Sequence, residues 1–345
     1  MAEPTLSAVI TCYEDAPAIP LMHARLSAVF AELRVQYEII FVNDASPDDA
    51  DSVLAELAAR DEHVISIEHS RNFGSQSAFL SGMQIAVGDA VILLDGDLQD
   101  PPELIAEFYA RWQKGNDVVY GRRQKREGSA LLALLCRLFY RIFRGISEVP
   151  MPLDAGDFAL MDRRVVNELL ALPETDQFLR GLRAWVGFRQ TGVDYVRPQR
   201  RFGRSTHGWL GNVWWARKAI FSFSFAPLAF LSYFACVLVA VSVLAAGQQA
   251  YTLVSHPERA RETSLLIVVV MFFGSLNLLA VALVGEYVLK ISEESKRRPK
   301  FIRKTIRKGR ELFTEPRQIA DFLRRRSPPE SSGRSPSESM DGDED

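Results

Sequence analysis

Cysteine is scarce. The chain has three in 345 residues, Cys12, Cys136 and Cys236, none in a CxxC or other metal-ligand spacing. That argues against a zinc site and a disulfide framework, and agrees with a reducing, cytosol-facing environment. An excess of one charge is missing too: 41 Lys and Arg face 43 Asp and Glu, a net charge of −2. A chain so balanced is not expected to bind nucleic acid as a whole. There is no GxGxxG and no GxxxxGK[ST], so neither a dinucleotide fold nor a P-loop NTPase is supported. The first residues show no basic stretch leading into an apolar run and cleavage site, so no signal peptide is expected. No internal repeat is evident. A hydrophobic content of 48% and a mean hydropathy of −0.02 exclude a disordered chain, a collagen and a many-helix transporter. The length allows roughly two domains.

Those averages conceal unlike regions. No charged residue occurs from Ala219 to Val254, and the apolar part, Phe221 to Ala246, is about 26 residues long. A second uncharged run, Thr263 to Gly285, is about 23 residues. A bilayer needs about 20, so two membrane helices are expected within 221–290. The link between them, with His256, Glu258, Arg259, Arg261 and Glu262, is charge-balanced. The flanks carry Arg217 and Lys218 before, and Lys290, Lys296, Arg297, Arg298, Lys300, Arg303 and Lys304 after. Positive residues stay inside, which places both flanks in the cytoplasm. Residues 206–220, with Trp209, Trp214 and Trp215, read as a juxtamembrane interfacial helix. Leu131–Gly145, LLALLCRLFYRIFRG, sets Arg137, Arg141 and Arg144 in one basic stripe on an apolar helix, the pattern of a helix lying at a membrane surface. Residues 291–345 read as a basic juxtamembrane segment followed by a polar, Pro/Ser-rich tail expected to be disordered.

The first two hundred residues alternate strand-like and helix-like patterns. Strands are expected at Leu6–Thr11, Glu38–Val42, Val64–Glu68, Ala90–Leu94 and Asp117–Tyr120. Helices are expected at Ile19–Leu33, Asp48–Ala59, Ser75–Val87 and Pro102–Lys114, the last with Asp100 as its cap. Such alternation predicts an α/β domain with a mostly parallel sheet over 1–205.

The sharpest local signal is Asp95-Gly96-Asp97-Leu98-Gln99-Asp100-Pro101-Pro102-Glu103, directly after the apolar strand Val91–Leu94. Ligands bind at the carboxyl ends of strands in such sheets. Two carboxylates one residue apart project the same way from an extended chain. Hard oxygen donors of this kind suit Mg²⁺ or Mn²⁺ holding a diphosphate. An EF-hand loop is a poor rival, because its sixth position is Asp100 rather than Gly and two prolines follow. Earlier strand ends are polar as well: Thr11 to Asp15, Asn43 to Asp48 and Arg71 to Gly74 outline one cleft with the DxD segment.

These residues resemble a known family. ITCYED, FVNDASPD, RNFGSQSAFLSGM, LLDGDLQDPPE, DVVYGRR, DAGDFALMDRRV, FLRGLRAWVGF and GEYVLKISEESKRRP, spread from about residue 6 to 300, are similar to the polyprenyl-phosphate branch of family 2 glycosyltransferases. The resemblance implies a GT-A catalytic domain. It implies inverting transfer of one sugar from a UDP- or GDP-sugar to a polyisoprenyl phosphate, such as undecaprenyl or dolichyl phosphate, at the cytoplasmic face of an inner or plasma membrane. On the same ground Asp95, Asp97 and Gln99 bind Mg²⁺ or Mn²⁺. Thr11, Tyr13, Asp15, Asp44, Asp95, Gly96, Asp97, Gln99 and Arg123 bind the nucleotide sugar, and Arg122, Arg123, Arg137 and Arg200 meet the lipid phosphate. Asp97 and Asp157 are the catalytic carboxylates, Asp157 in the place of a base. A phosphate-monoester acceptor, with a second pKa near about 6, hardly needs a base, so Asp157 can equally orient the sugar or a cation. A homotetramer rests on the resemblance alone.

Several positions depart from the family pattern. Thr11 replaces Pro, Glu14 replaces Asn, and Ser75 replaces Lys. Gly203-Arg204-Ser205-Thr206 stands where Gly-x-Ser-Lys is usual, leaving Arg201 or Arg204 to meet phosphate. Two other readings stay open. One is a processive polysaccharide synthase, although Gln177-Phe178-Leu179-Arg180 continues to Gly181 and not to the Trp of QxxRW. The other is a non-catalytic membrane accessory subunit.

Overall fold

A computed structural model describes residues 6–123, 155–174, 178–198 and 263–326, with isolated helical positions between 233 and 255. Its sheet is built on β1 (Leu6–Cys12), β2 (Tyr37–Asn43), β3 (Val64–His69) and β4 (Ala90–Asp95). These four run parallel in the order β4-β1-β2-β3. The helices α1 (Ile19–Leu33), α2 (Ala50–Arg60) and α3 (Ser75–Ile85) connect them.

The strands are largely apolar because both faces are covered. Along β1, Ala8, Ile10 and Cys12 join one core while Val9 joins the other; β4 divides Ala90, Ile92 and Leu94 from Val91 and Leu93 in the same way. Helices α1, α2 and α4 (Ile105–Gln113) cover the first face with Met22, Leu26, Phe30, Leu54 and Phe108. On the second face lie α3, α5 (Arg163–Ala171) and α6 (Leu179–Trp185). The expected elements thus form with ends shifted by a few residues. Beyond the expected strands, β6 (Ala155–Asp162) runs antiparallel between β4 and β5 (Val118–Arg123), and β7 (Gln190–Tyr195) runs parallel beside β5.

Two expectations need correction. First, Asp100 does not cap a helix. A 3₁₀ turn, Pro102–Leu104, precedes α4 with no side-chain cap. Asp100 is instead buried and accepts a hydrogen bond from the Tyr195 hydroxyl.

Second, residues 303–326 do not belong to a basic juxtamembrane segment. The chain returns to the catalytic sheet as β8 (Arg303–Lys308), antiparallel to β3, then β9 (Glu311–Phe313) and α8 (Pro316–Arg326). Ile306, Ile319 and Phe322 are buried in the second core. The basic side chains are held by acids across the edge: Lys304 by Glu68, Arg307 by Asp51 and Arg326 by Glu38.

Of the two expected membrane helices, one falls within the described residues. Among the described residues one helix, α7 (Thr263–Ser295), is long and apolar enough to cross a bilayer, through Phe272–Leu289. The first run, Phe221–Ala246, lies mostly outside the described residues, as do the 131–145 and 206–220 helices and the tail from 327.

Candidate active site

The polar ends of β1, β2, β3 and β4 meet at one edge of the sheet, as the register dictates: Thr11 pairs with Asp95, and Cys12 with Asn43. Gly96 donates its backbone N–H to the Thr11 carbonyl at 2.9 Å. A Cβ at Gly96 would lie 2.5 Å from Asp15 Oδ2 and 2.7 Å from Thr11 O, so the two loops close only around glycine. Asp97 turns back to accept from the Gln99 N–H at 3.0 Å, with Leu98 left-handed between them.

Three carboxylates result. Asp97 and Asp100 are buried, while about a third of the Asp95 side chain, 32%, is exposed. Arg197, just beyond β7, lies among them. Its Nη2 is 3.7 Å from Asp95 Oδ2 and 3.7 Å from Asp97 Oδ2, and its Nε is 3.7 Å from Asp100 Oδ1. Arg123 is a second guanidinium near Asp100. Desolvation first, then the charges of Asp100, Asp97 and Asp157, push the Asp95 carboxyl up to about 7, with Arg197 opposing. Desolvation also raises Asp100, against the pull of Arg197, Arg123 and the Tyr195 hydroxyl.

This donor set fits a hard divalent cation. The side chains it offers are carboxylates, whose oxygens are hard donors. Among the described residues no three acidic, imidazole or thiol side chains form a complete metal cage. Mg²⁺ takes one or two carboxylates from a protein and completes its shell from phosphates and water. The Gln99 amide donates to the Pro198 carbonyl at 3.2 Å.

The second carboxylate system is Asp157, on β6. Arg180 Nε and Nη2 grip it at 2.9 and 2.8 Å, and Gln76 Nε2 donates to it at 3.1 Å. Desolvation alone would raise its pKa. Arg180, Arg183 and the Gln76 amide outweigh that and hold it below the ordinary carboxylate range. Gripped in this way, Asp157 is a poor proton acceptor and a good anchor. Arg183 beside it is buried, and desolvation draws its pKa down to about 10.

The other sequence-predicted residues divide. Tyr13 is exposed at the cleft rim, and Thr11 and Asp15 are buried beneath it. Asp44 is spent internally: it accepts from His69 Nδ1 at 2.7 Å and from the backbone N–H of Phe73 and Gly74 at 2.9 and 2.7 Å. Arg123 faces the cleft, donating to the Tyr195 hydroxyl at 3.3 Å with Asp100 nearby. Arg122 points away along the alternating strand and pairs with Asp194. Arg137 and Arg200 lie outside the described residues. Sequence reasoning passed over Arg197, Gln76 and His69. The DAGDF and FLRGL segments were quoted, but nothing local signalled that Arg180 would grip Asp157.

Residues 7–170 match the model of glycosyl transferase family 2. The chain is 37% identical over 297 residues to the uncharacterized glycosyltransferase YkcC of Bacillus subtilis, covering 86% of this chain and 92% of that protein. It is 33% identical to a prophage bactoprenol glucosyl transferase homolog of Escherichia coli, over 88% of this chain and 99% of that one. It is 35% identical to the bactoprenol glucosyl transferase of Shigella phage SfV, over 86% and 97%. The resemblance read from the motifs therefore holds, and the chain belongs to glycosyl transferase family 2.

Proposed function

We propose that the protein transfers a single sugar, with inversion, from a UDP- or GDP-sugar to a polyisoprenyl phosphate at the cytoplasmic face of a membrane. The observation that carries this reading is the carboxylate cluster of Asp95, Asp97 and Asp100, with Arg197 among them, at the carboxyl end of a parallel sheet. Relatives named bactoprenol glucosyl transferases, matched over nearly their whole length, support the lipid acceptor.

Asp95 and Asp97 would hold a Mg²⁺ or Mn²⁺ ion; when bound, the ion neutralises the leaving diphosphate. The chain's own groups do the rest. Thr11, Tyr13 and Asp15 border the nucleotide side. Arg123 presents a guanidinium fork suited to phosphate. Asp157, locked to Arg180 and Gln76, orients its neighbours rather than taking a proton. The acceptor phosphate is largely dianionic at neutral pH and is the nucleophile without a base. The membrane arrangement in this reading is two C-terminal spans with both flanks cytoplasmic, Arg137 and Arg200 meeting the lipid phosphate, and association into a homotetramer.

The test is the full-length protein in liposomes with undecaprenyl phosphate, Mg²⁺ or Mn²⁺, and a panel of UDP- and GDP-sugars, followed by mass spectrometry of the lipid. A lipid carrying one sugar is the expected product. A polymer would identify a processive synthase, and no turnover with any donor an accessory subunit.

A further inference from the structure

Asp44 is buried, and three donors consume its carboxylate: His69 Nδ1 and the N–H groups of Phe73 and Gly74. The turn it holds, Phe73–Gly74, opens α3, and Gln76 in the first turn of α3 donates to Asp157. Whatever orients Asp44 therefore sets one wall of the cleft.

His69 is that group, and it is fully buried. Its Nδ1 faces a carboxylate and its Nε2 meets no hydrogen-bond partner among the described residues, which assigns the proton to Nδ1. With one polar contact, the ring is aimed by packing. Phe73 meets it edge-on at 5.6 Å and 88°. Phe301 lies parallel to it at 5.6 Å and 3°.

Phe301 belongs to the short segment between α7 and β8. Arg303 covers the Phe301 ring at 4.7 Å. The same guanidinium donates to the Ser81 hydroxyl and carbonyl and to Gln84, all on α3. The Ser70 N–H donates to the Ile302 carbonyl at 3.0 Å. The chain leaving the long apolar helix is thus fastened both to the histidine that orients Asp44 and to the helix that carries Gln76.

We propose that His69 and Phe301 are positioning residues for the nucleotide side of the cleft, through which the segment after α7 fixes Asp44 and the Phe73–Gly74 turn. The inference rests on the reading of this cleft as a nucleotide-sugar site. Neither residue reaches the cleft. Their effect is on donor binding and not on the reacting atoms, and it joins the anchoring helix to the donor pocket through one aromatic stack.

The experiment uses the full chain in detergent or liposomes. Binding of UDP and of GDP with Mn²⁺ is measured by calorimetry, and the donor and acceptor KM and kcat in the transfer assay. Phe301→Ala and His69→Phe are expected to weaken nucleotide binding and raise the donor KM about tenfold, as loss of a hydrogen bond to a charged group implies. The acceptor KM and kcat should stay within about twofold, the signature of lost ground-state binding. Phe301→Tyr, which keeps the stack, should restore donor affinity. Phe301→Leu keeps apolar volume without the stack and carries the same test if Phe301→Ala does not fold. Folded variants with wild-type donor affinity, or with acceptor and donor KM raised alike, overturn the inference. Wild-type protein that binds neither UDP nor GDP overturns the nucleotide-site reading itself, and the inference with it.

Discussion

A carboxyl group pushed up to about 7 holds a proton that the unfolded chain has already released, so Asp95 works against folding as pH rises. Stability should fall between the ordinary carboxylate pKa, about 4, and about 7, then level off. In melts with a chelator present, Asp95→Asn should be the more stable protein at pH 8, and the two should converge at pH 4. Added Mg²⁺ or Mn²⁺ should raise the wild-type melting temperature at pH 8 and leave the variant nearly unmoved. Asp97→Ala should lower kcat about 10²–10³-fold while the protein still folds in membranes, the usual cost of losing one electrostatic support for a leaving group. Full activity of that variant with metal present would sink the metal assignment. Asp157 has the opposite sign. Its pKa is depressed, so its contribution is present above the ordinary carboxylate pKa and is lost as pH falls below it. Asp157→Asn removes the charge that Asp157 sets against Arg180 and the buried Arg183 and should cost about 1–3 kcal/mol, less than a fully buried pair because Arg180 is partly exposed. A wild-type pH–rate profile with a limb that Asp157→Asn removes between pH 6 and 8 would restore it as a base.

Elements were legible where local pattern and tertiary demand agree. The first helix was read with its observed limits because Met22, Leu26, Val29 and Phe30 repeat at helical spacing and all are buried. Strands β1 to β4 are legible as apolar runs rich in β-branched residues, and the register brings their polar ends to one edge of the sheet. β8 was not legible. Its sequence, RKTIRK, has four basic residues in six, and what makes it a strand is β3, with Glu68 and Asp51 waiting across the edge. Arg197 and Gln76 escaped for the same reason, since their partners lie tens of residues away in the chain. Because Ile306 is fully buried, Ile306→Ala should destabilise the catalytic domain by about 2–4 kcal/mol, read as a lower thermal midpoint. An unchanged midpoint would show that the edge contributes little.

At the scale of the molecule, α7 leaves and returns to one domain. Its apolar stretch Phe272–Leu289 is unburied by the rest of the described chain. The protein should therefore stay with membranes through high salt and alkaline carbonate and be released by detergent. Recovery in the carbonate supernatant would refute membrane insertion. Replacing Arg137, Arg141 and Arg144 by Glu should raise the KM for the lipid more than that for the donor, if the 131–145 helix lies at the interface as its pattern predicts. The sheet has a further consequence, in the order of events during synthesis. β3 is made early, but its partner β8 lies about 240 residues later, beyond α7. While the ribosome is still making the intervening chain, β3 is an open edge that a neighbouring nascent chain can occupy. The sheet can be completed only after the apolar helix has been synthesised. Synthesis of that helix therefore precedes final assembly of the domain.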